Sequence, residues 1–144
     1  MLEIVKRREE AELARLEEIA DKSPNKIRVV NTTSGKVAVQ KFDIPIFNDA
    51  DIVLGHASHI ERIHGCRDIA VSKEIFEENF FDLSSGLIEE TAQKLAGSGF
   101  RLAVVGDFSG YASKPFHDFI YESNKGRHLY FVADEEEALK KLGG

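Results

Sequence analysis

The spacing of apolar and polar positions changes character several times along this chain, and each change marks an element. From Lys26 to Thr33, and again from Lys36 to Phe42, β-branched residues flank Ser34-Gly35, which predicts a β-hairpin. After Pro45 a helical pattern runs from about Asn48 to Ile63 and closes at His64-Gly65, where glycine supplies a left-handed cap. Asp68-Ile-Ala-Val-Ser72 then reads as a short buried strand, and Leu87 to Leu95 as a helix ending at Gly97-Ser98-Gly99. Arg101-Leu-Ala-Val-Val-Gly106 has the continuous apolar character of a strand covered on both faces. A further helix runs from near Lys114 to Asn124, with Ser113 as N-cap, Pro115 in its first turn and Gly126 past its end. His128 to Val132 is the last strand. The closing segment Asp134 to Leu142 places acids first and lysines last, and Asp134 with Glu137 has capping-box spacing.

Ahead of the hairpin, residues 2–22 contain no Gly or Pro and are dense in Glu, Arg, Ala and Leu, so they predict a helix ended by Ser23-Pro24-Asn25. Its apolar positions Leu2, Val5, Leu13, Leu16, Ile19 and Ala20 form a thin stripe broken by Glu9 and Glu12, which does not support a sustained coiled coil. Such a stripe suits docking, either on the domain itself or on a second chain as a route to a homo-oligomer. The division is therefore an N-terminal helix and turn over residues 1–25 and an α/β domain over residues 26–144. Strands separated by helices need helical crossovers, so the sheet is expected to be mixed but mainly parallel, with about five strands flanked by helices.

Length and charge narrow the function. A chain of 144 residues fits one ordinary domain. A net charge of -6 gives no basic footprint for phosphate backbones, so nucleic acid is not an expected partner. The lone Cys66 cannot form an internal disulfide, and the charged amino terminus has no apolar run of leader or membrane-spanning length. The expectation is a cytoplasmic protein with no membrane partner.

Few residues suggest chemistry. Ser84 and Ser85 precede a helix, so either can cap its first N–H groups, and a phosphate there would meet the positive end of the helix dipole. His56, His59 and His64 lie close in sequence, but a zinc site needs three or four converging ligands and their spacing matches no ligand pattern. They are read as lining a partly exposed helix face. Cys66 leads into a buried strand and is read as a small core residue. Gly106-Asp107-Phe108-Ser109-Gly110 follows a strand, where open α/β sheets place ligand loops, yet carries neither a dinucleotide fingerprint nor a Walker pattern. No cofactor is implied. Among the many aromatic residues, two or three rings are expected to stay near the loops around Asp82 and Asp107 as interface anchors.

From about Ile27 to Leu142 the chain resembles the bacterial family known as domain of unknown function 4180. The resemblance rests on Asn79-Phe-Phe-Asp-Leu83, Leu102-Ala-Val-Val-Gly-Asp-Phe-Ser109, Asp118-Phe-Ile-Tyr-Glu-Ser-Asn-Lys-Gly126 and the closing Glu-Glu-Ala-Leu139. More distantly, Phe80 to Leu142 is similar to STAS domains and anti-sigma-factor antagonists, whose phosphorylation loop reads Asp-Ser-Ser-Gly-Leu. Here Leu83 separates Asp82 from Ser84-Ser85-Gly86-Leu87. That likeness implies a STAS-like, non-catalytic regulatory or scaffolding domain. It would present Asp82 to Gly86 and Asp107 to Ser113, Phe108 included, to a protein partner, with Ser84 or Ser85 as phosphoacceptor. The rival is a small-molecule-binding protein or cryptic enzyme, with Asp82, Asp107, Lys114 and the histidines around a pocket at the strand ends.

Overall fold

The computed structural model describes residues 27–143, so the expected N-terminal helix lies outside the described residues. Five strands, β1 (Arg28–Thr32), β2 (Gly35–Gln40), β3 (Asp68–Ser72), β4 (Arg101–Val105) and β5 (Leu129–Val132), form one sheet in the order β1-β2-β3-β4-β5. Only β1 and β2 run antiparallel; the other neighbours are parallel. Four helices accompany them, α1 (Ala50–His64), α2 (Leu87–Ser98), α3 (Lys114–Asn124) and α4 (Glu135–Gly143). The expected mainly parallel α/β architecture is present. The hairpin turn differs by one residue: Thr32 pairs with Gly35, so Thr33-Ser34 form the loop and Gly35 supplies a positive φ at the start of β2.

From β2 onward each strand steps one place in the same direction, and right-handed crossovers then put α1, α2 and α3 on one face of the sheet. The core on that face includes Ala38, Ile69, Val71, Leu102, Val104 and Phe131. The alternate residues Val37, Val39, Ala70, Ala103, Tyr130 and Val132 face the other way and meet Ala138 and Leu142 of α4. Caps fix the helix ends. Asp49 accepts from the Ile52 N–H at 2.8 Å to start α1, and Gly65 ends it in the left-handed region at φ 72. Ser113 opens α3 as read from the sequence, and at α4 Asp134 accepts from the Glu137 N–H while the Glu137 carboxylate accepts from the Ala133 N–H, one residue ahead of the N-cap.

One edge of the sheet is sealed by a side chain. The outer edge of β5 is bonded by Asn124, whose Nδ2 donates to the Phe131 carbonyl at 3.1 Å and whose Oδ1 accepts from the Phe131 N–H at 2.8 Å. Ser123 Oγ donates to the Leu129 carbonyl at 2.6 Å. The end of α3 thus pairs an edge that would otherwise be open to another chain. Asn124→Leu should cost about 2 kcal/mol, since it strands a donor and an acceptor of a largely buried peptide unit. Urea unfolding checks this, and a loss below about 0.5 kcal/mol would mean that water replaces the amide. No helix among the described residues is long and apolar enough to cross a membrane.

Candidate functional site

Parallel neighbours deliver their following loops side by side, and here β3 and β4 do so at the carboxyl end of the sheet. After β3 the chain makes short 3-10 turns at Lys73–Ile75, Glu78–Phe81 and Leu83–Ser85 before α2. After β4, Gly106 to Ser113 lead into α3. Lys73 joins the two loops: its Nζ donates to the Asp107 carbonyl at 3.2 Å and lies 4.8 Å from the Tyr111 ring centroid. The stem of Lys73 runs across Gly106, where a Cβ would come within 2.7 Å of it. Glycine is required there for close approach, not for an unusual φ. The Phe81 ring packs against Phe108, Tyr111 and Phe116 at 5.7, 5.6 and 6.0 Å, and the Tyr111 hydroxyl donates to the Glu78 carboxylate at 3.2 Å. Phe81 and Phe116 are buried, whereas Phe108 and Tyr111 remain half-buried beside the loops.

The same small turn occurs in both loops. Asp82 Oδ1 accepts from the Ser84 N–H at 3.0 Å and from the Ser84 hydroxyl at 2.7 Å. Asp107 Oδ1 accepts from the Ser109 N–H at 2.9 Å and from its hydroxyl at 2.6 Å. Bonds from the serine hydroxyls, then from the backbone N–H groups, hold both carboxyls below the usual carboxylate range. Ser84 is exposed and donates both its N–H and its hydroxyl to Asp82, while the α2 N-terminus is met by its neighbours instead. The N-cap is Gly86 at φ 73, and Ser85 Oγ accepts from the Leu87 N–H at 3.3 Å while donating to the Asn79 and Asp82 carbonyls. Ser85 is the local capping serine.

Of the three histidines expected on a partly exposed helix face, His56 and His59 are buried instead. His56 is buried, with Nε2 2.7 Å from Gln40 Oε1 and its ring edge-on to Phe47, because this side of α1 lies on the sheet with Val53 and Ile60. Burial, aided by neighbouring His59, pushes its pKa down to about 4. His59 is also buried, with Nδ1 3.1 Å from Arg62 Nη2, and His64 is half-buried at the end of α1. Among the described residues no group of three His, Cys, Asp or Glu side chains is placed to hold a metal ion. Cys66 is buried, and burial raises its thiol pKa. Lys114 is exposed and paired to Asp118 at 3.0 Å.

A second feature lies on the α4 face, where a cleft of about 350 Å³ opens over the carboxyl ends of β2, β3 and β4. Val39, Ala70 and Val105 line it together with Lys41, Glu74 and Glu135. None of Asp82, Asp107, Lys114 or the histidines lines it, so the set expected around a strand-end pocket is not gathered there. Lys73 and Gln40 escaped the sequence reading, because a lysine after a strand and a glutamine at a strand end carry no local signal of what they touch.

The family model for the domain of unknown function DUF4180 matches residues 32–142. Comparison with curated proteins and with solved structures found no match.

Proposed function

The chain belongs to the DUF4180 family, and we propose that it is a non-catalytic regulatory or scaffolding domain of STAS-like architecture that binds a protein partner through its joined loops. The observation that supports this reading is the union of the two loops into one surface by Lys73, Phe81 and Tyr111. Half-buried Phe108 and Tyr111 give aromatic anchors held in place before binding, which lowers the ordering cost of association. From Lys73 to Glu90 the chain also carries Glu74, Glu77, Glu78, Asp82, Glu89 and Glu90 against the single lysine. The partner surface that complements this is basic, and its affinity falls as salt rises.

Serine modification would act through Asp82. A phosphate on Ser84 replaces the hydroxyl proton now given to Asp82 with a dianion beside a carboxylate, which opens the turn by like-charge repulsion. The test is affinity for whichever protein the wild-type chain captures from its host. Tyr111→Ala should bind about 30-fold more weakly, the loss of one aromatic anchor. Ser84→Asp should weaken binding and Ser84→Ala should leave it near wild type. Equal affinity for wild type and Tyr111→Ala, with both folded by circular dichroism, would remove this surface from consideration.

The α4-face cleft favours a second reading, a small-molecule-binding protein or cryptic enzyme, since its volume and its place at the strand ends suit a ligand.

A further inference from the structure

Building on the small-molecule reading, on which this step rests, we propose that the α4-face cleft binds a free amino acid with a bulky apolar side chain. Lys41 holds its carboxylate and Glu74 its ammonium group. The cleft has a volume of about 350 Å³ and lies at the carboxyl ends of β2, β3 and β4, a size and a place typical of small-molecule sites in open α/β sheets. Its apolar lining, Val39, Ala70 and Val105, comes from three adjacent strands. The smallest of the three sits on the middle strand, which leaves depth there for an apolar group of the ligand.

Four charged side chains line the cleft among the described residues, and two of them are already engaged. Asp134 accepts from the Glu137 N–H at 2.8 Å, and Glu135 is paired to Arg28 at 2.6 Å. Lys41 and Glu74 are exposed, and neither side chain makes an ion pair or hydrogen bond among the described residues. Gln40 is in register with Val71, so the two residues follow neighbouring parallel strands and leave them at the same end of the cleft.

These two charges select the ligand. A molecule with a single charge answers one of them and meets the other as a like charge, which weakens its binding. A zwitterion answers both. In an α-amino acid the ammonium and carboxylate groups share one carbon, so both can face Lys41 and Glu74 while the side chain enters the apolar part of the cleft. Ser72, the one hydroxyl lining the cleft among the described residues, donates to the Phe42 carbonyl at 2.7 Å and accepts from the Phe42 N–H at 2.8 Å. It is committed to the fold, which favours binding over covalent chemistry at this residue.

The experiment titrates L-phenylalanine into the full chain with labelled methyl groups, and pools of the other common amino acids then identify the preferred side chain. Binding should shift the Val39, Ala70 and Val105 methyl signals and leave Ile63 and Ile88 in place, with a Kd on the order of 0.1 mM. 3-Phenylpropionate lacks the ammonium group and 2-phenylethylamine lacks the carboxylate, so each should bind at least about tenfold more weakly. Lys41→Met should weaken phenylalanine about tenfold and 2-phenylethylamine not at all; Glu74→Gln should do the same with 3-phenylpropionate as the insensitive compound. Both residues are exposed, so the variants should fold as wild type by circular dichroism. Tyr111→Ala, which alters the two-loop surface, should leave phenylalanine binding unchanged. Singly charged compounds that bind as tightly as phenylalanine, or variants without effect, would overturn the zwitterion assignment and leave the small-molecule reading standing. Cleft signals that no amino acid moves at concentrations on the order of 10 mM, or that polar amino acids alone move, would overturn the proposal, and the first of these would remove the small-molecule reading with it.

Discussion

Replacing Arg101 with alanine should lower the unfolding free energy by about 3 kcal/mol, because this one side chain ties the sheet to the end of the last helix. Arg101 opens β4, and its Nη1 donates to the Leu142 carbonyl at 2.9 Å. Nη2 donates to the Lys141 carbonyl at 3.0 Å and to the Tyr130 hydroxyl at 3.1 Å, and Nε to the Arg127 carbonyl at 3.0 Å. The last carbonyls of a helix have no partner within it, so a cation here satisfies two of them and meets the negative end of the helix dipole. Charged hydrogen bonds contribute about 1.5 to 3 kcal/mol each, but the side chain is 30% exposed, and water recovers part of the loss.

Arg101→Lys separates charge from geometry. It keeps the cation but loses the planar fork that reaches several carbonyls, so it should recover less than half of the deficit. Denaturant unfolding gives the magnitude, and amide hydrogen exchange should show α4 opening first. A loss below about 1 kcal/mol would mean that α4 is held by Ala138 and Leu142 alone. The close packing of Gly143 on Thr32, which leaves no room for a Cβ, belongs to the same junction.

The elements whose physics is local were legible in the sequence. The β-branched runs marked the two hairpin strands and the buried apolar runs the other three, and Gly65, Ser113 and Asp134 act within a residue or two of where turn and cap chemistry places them. The stretch from Lys73 to Ser85 was not legible, because short 3-10 turns impose no periodicity and their hydrogen bonds close over three residues. The sequence left open which of Ser84 and Ser85 caps the helix, and the structure assigns that role to Ser85. A serine before a helix has the same local signature whether it caps that helix or answers an aspartate two residues back, and here Asp82 takes Ser84. His56 shows the opposite failure: its helix was correct, yet its burial depends on which side of α1 meets β2, a tertiary fact. The Arg-Leu-Ala-Val-Val-Gly strand was read as a buried run, but its first residue is a cap for a helix 40 residues later.

Acidification should remove about 3 kcal/mol of stability between pH 6.5 and 4 through His56 alone. In the unfolded chain its imidazole titrates near 6.5, while in the fold burial holds the pKa down to about 4. Between these values the unfolded chain binds more protons than the folded one, so stability is complete above the unfolded pKa and declines as pH falls toward the folded pKa. The groups packed on the ring decide the sign. Gln40 Oε1 and the Phe47 edge offer no negative charge to hold an imidazolium, and neighbouring His59 opposes one. Asp68 acts in the reverse sense, since burial raises its pKa and its contribution to stability grows as pH falls. Asp82 and Asp107 begin to contribute lower still. The His56→Leu variant therefore separates the part due to His56 from the part due to Asp68. His56→Leu should cost about 3 kcal/mol at pH 7.5, because Gln40 Nε2 already lacks a hydrogen-bond partner among the described residues and Oε1 would then lose its own. The same variant should flatten the pH dependence. Gln40→Leu/His56→Leu removes both polar groups and should recover most of the loss, since an apolar pair of similar size leaves nothing unsatisfied. Urea unfolding at pH 7.5, 6 and 5 separates the outcomes. A wild-type chain equally stable at all three, or a double variant no more stable than His56→Leu, would show that the Gln40–His56 contact does not govern the response to acid.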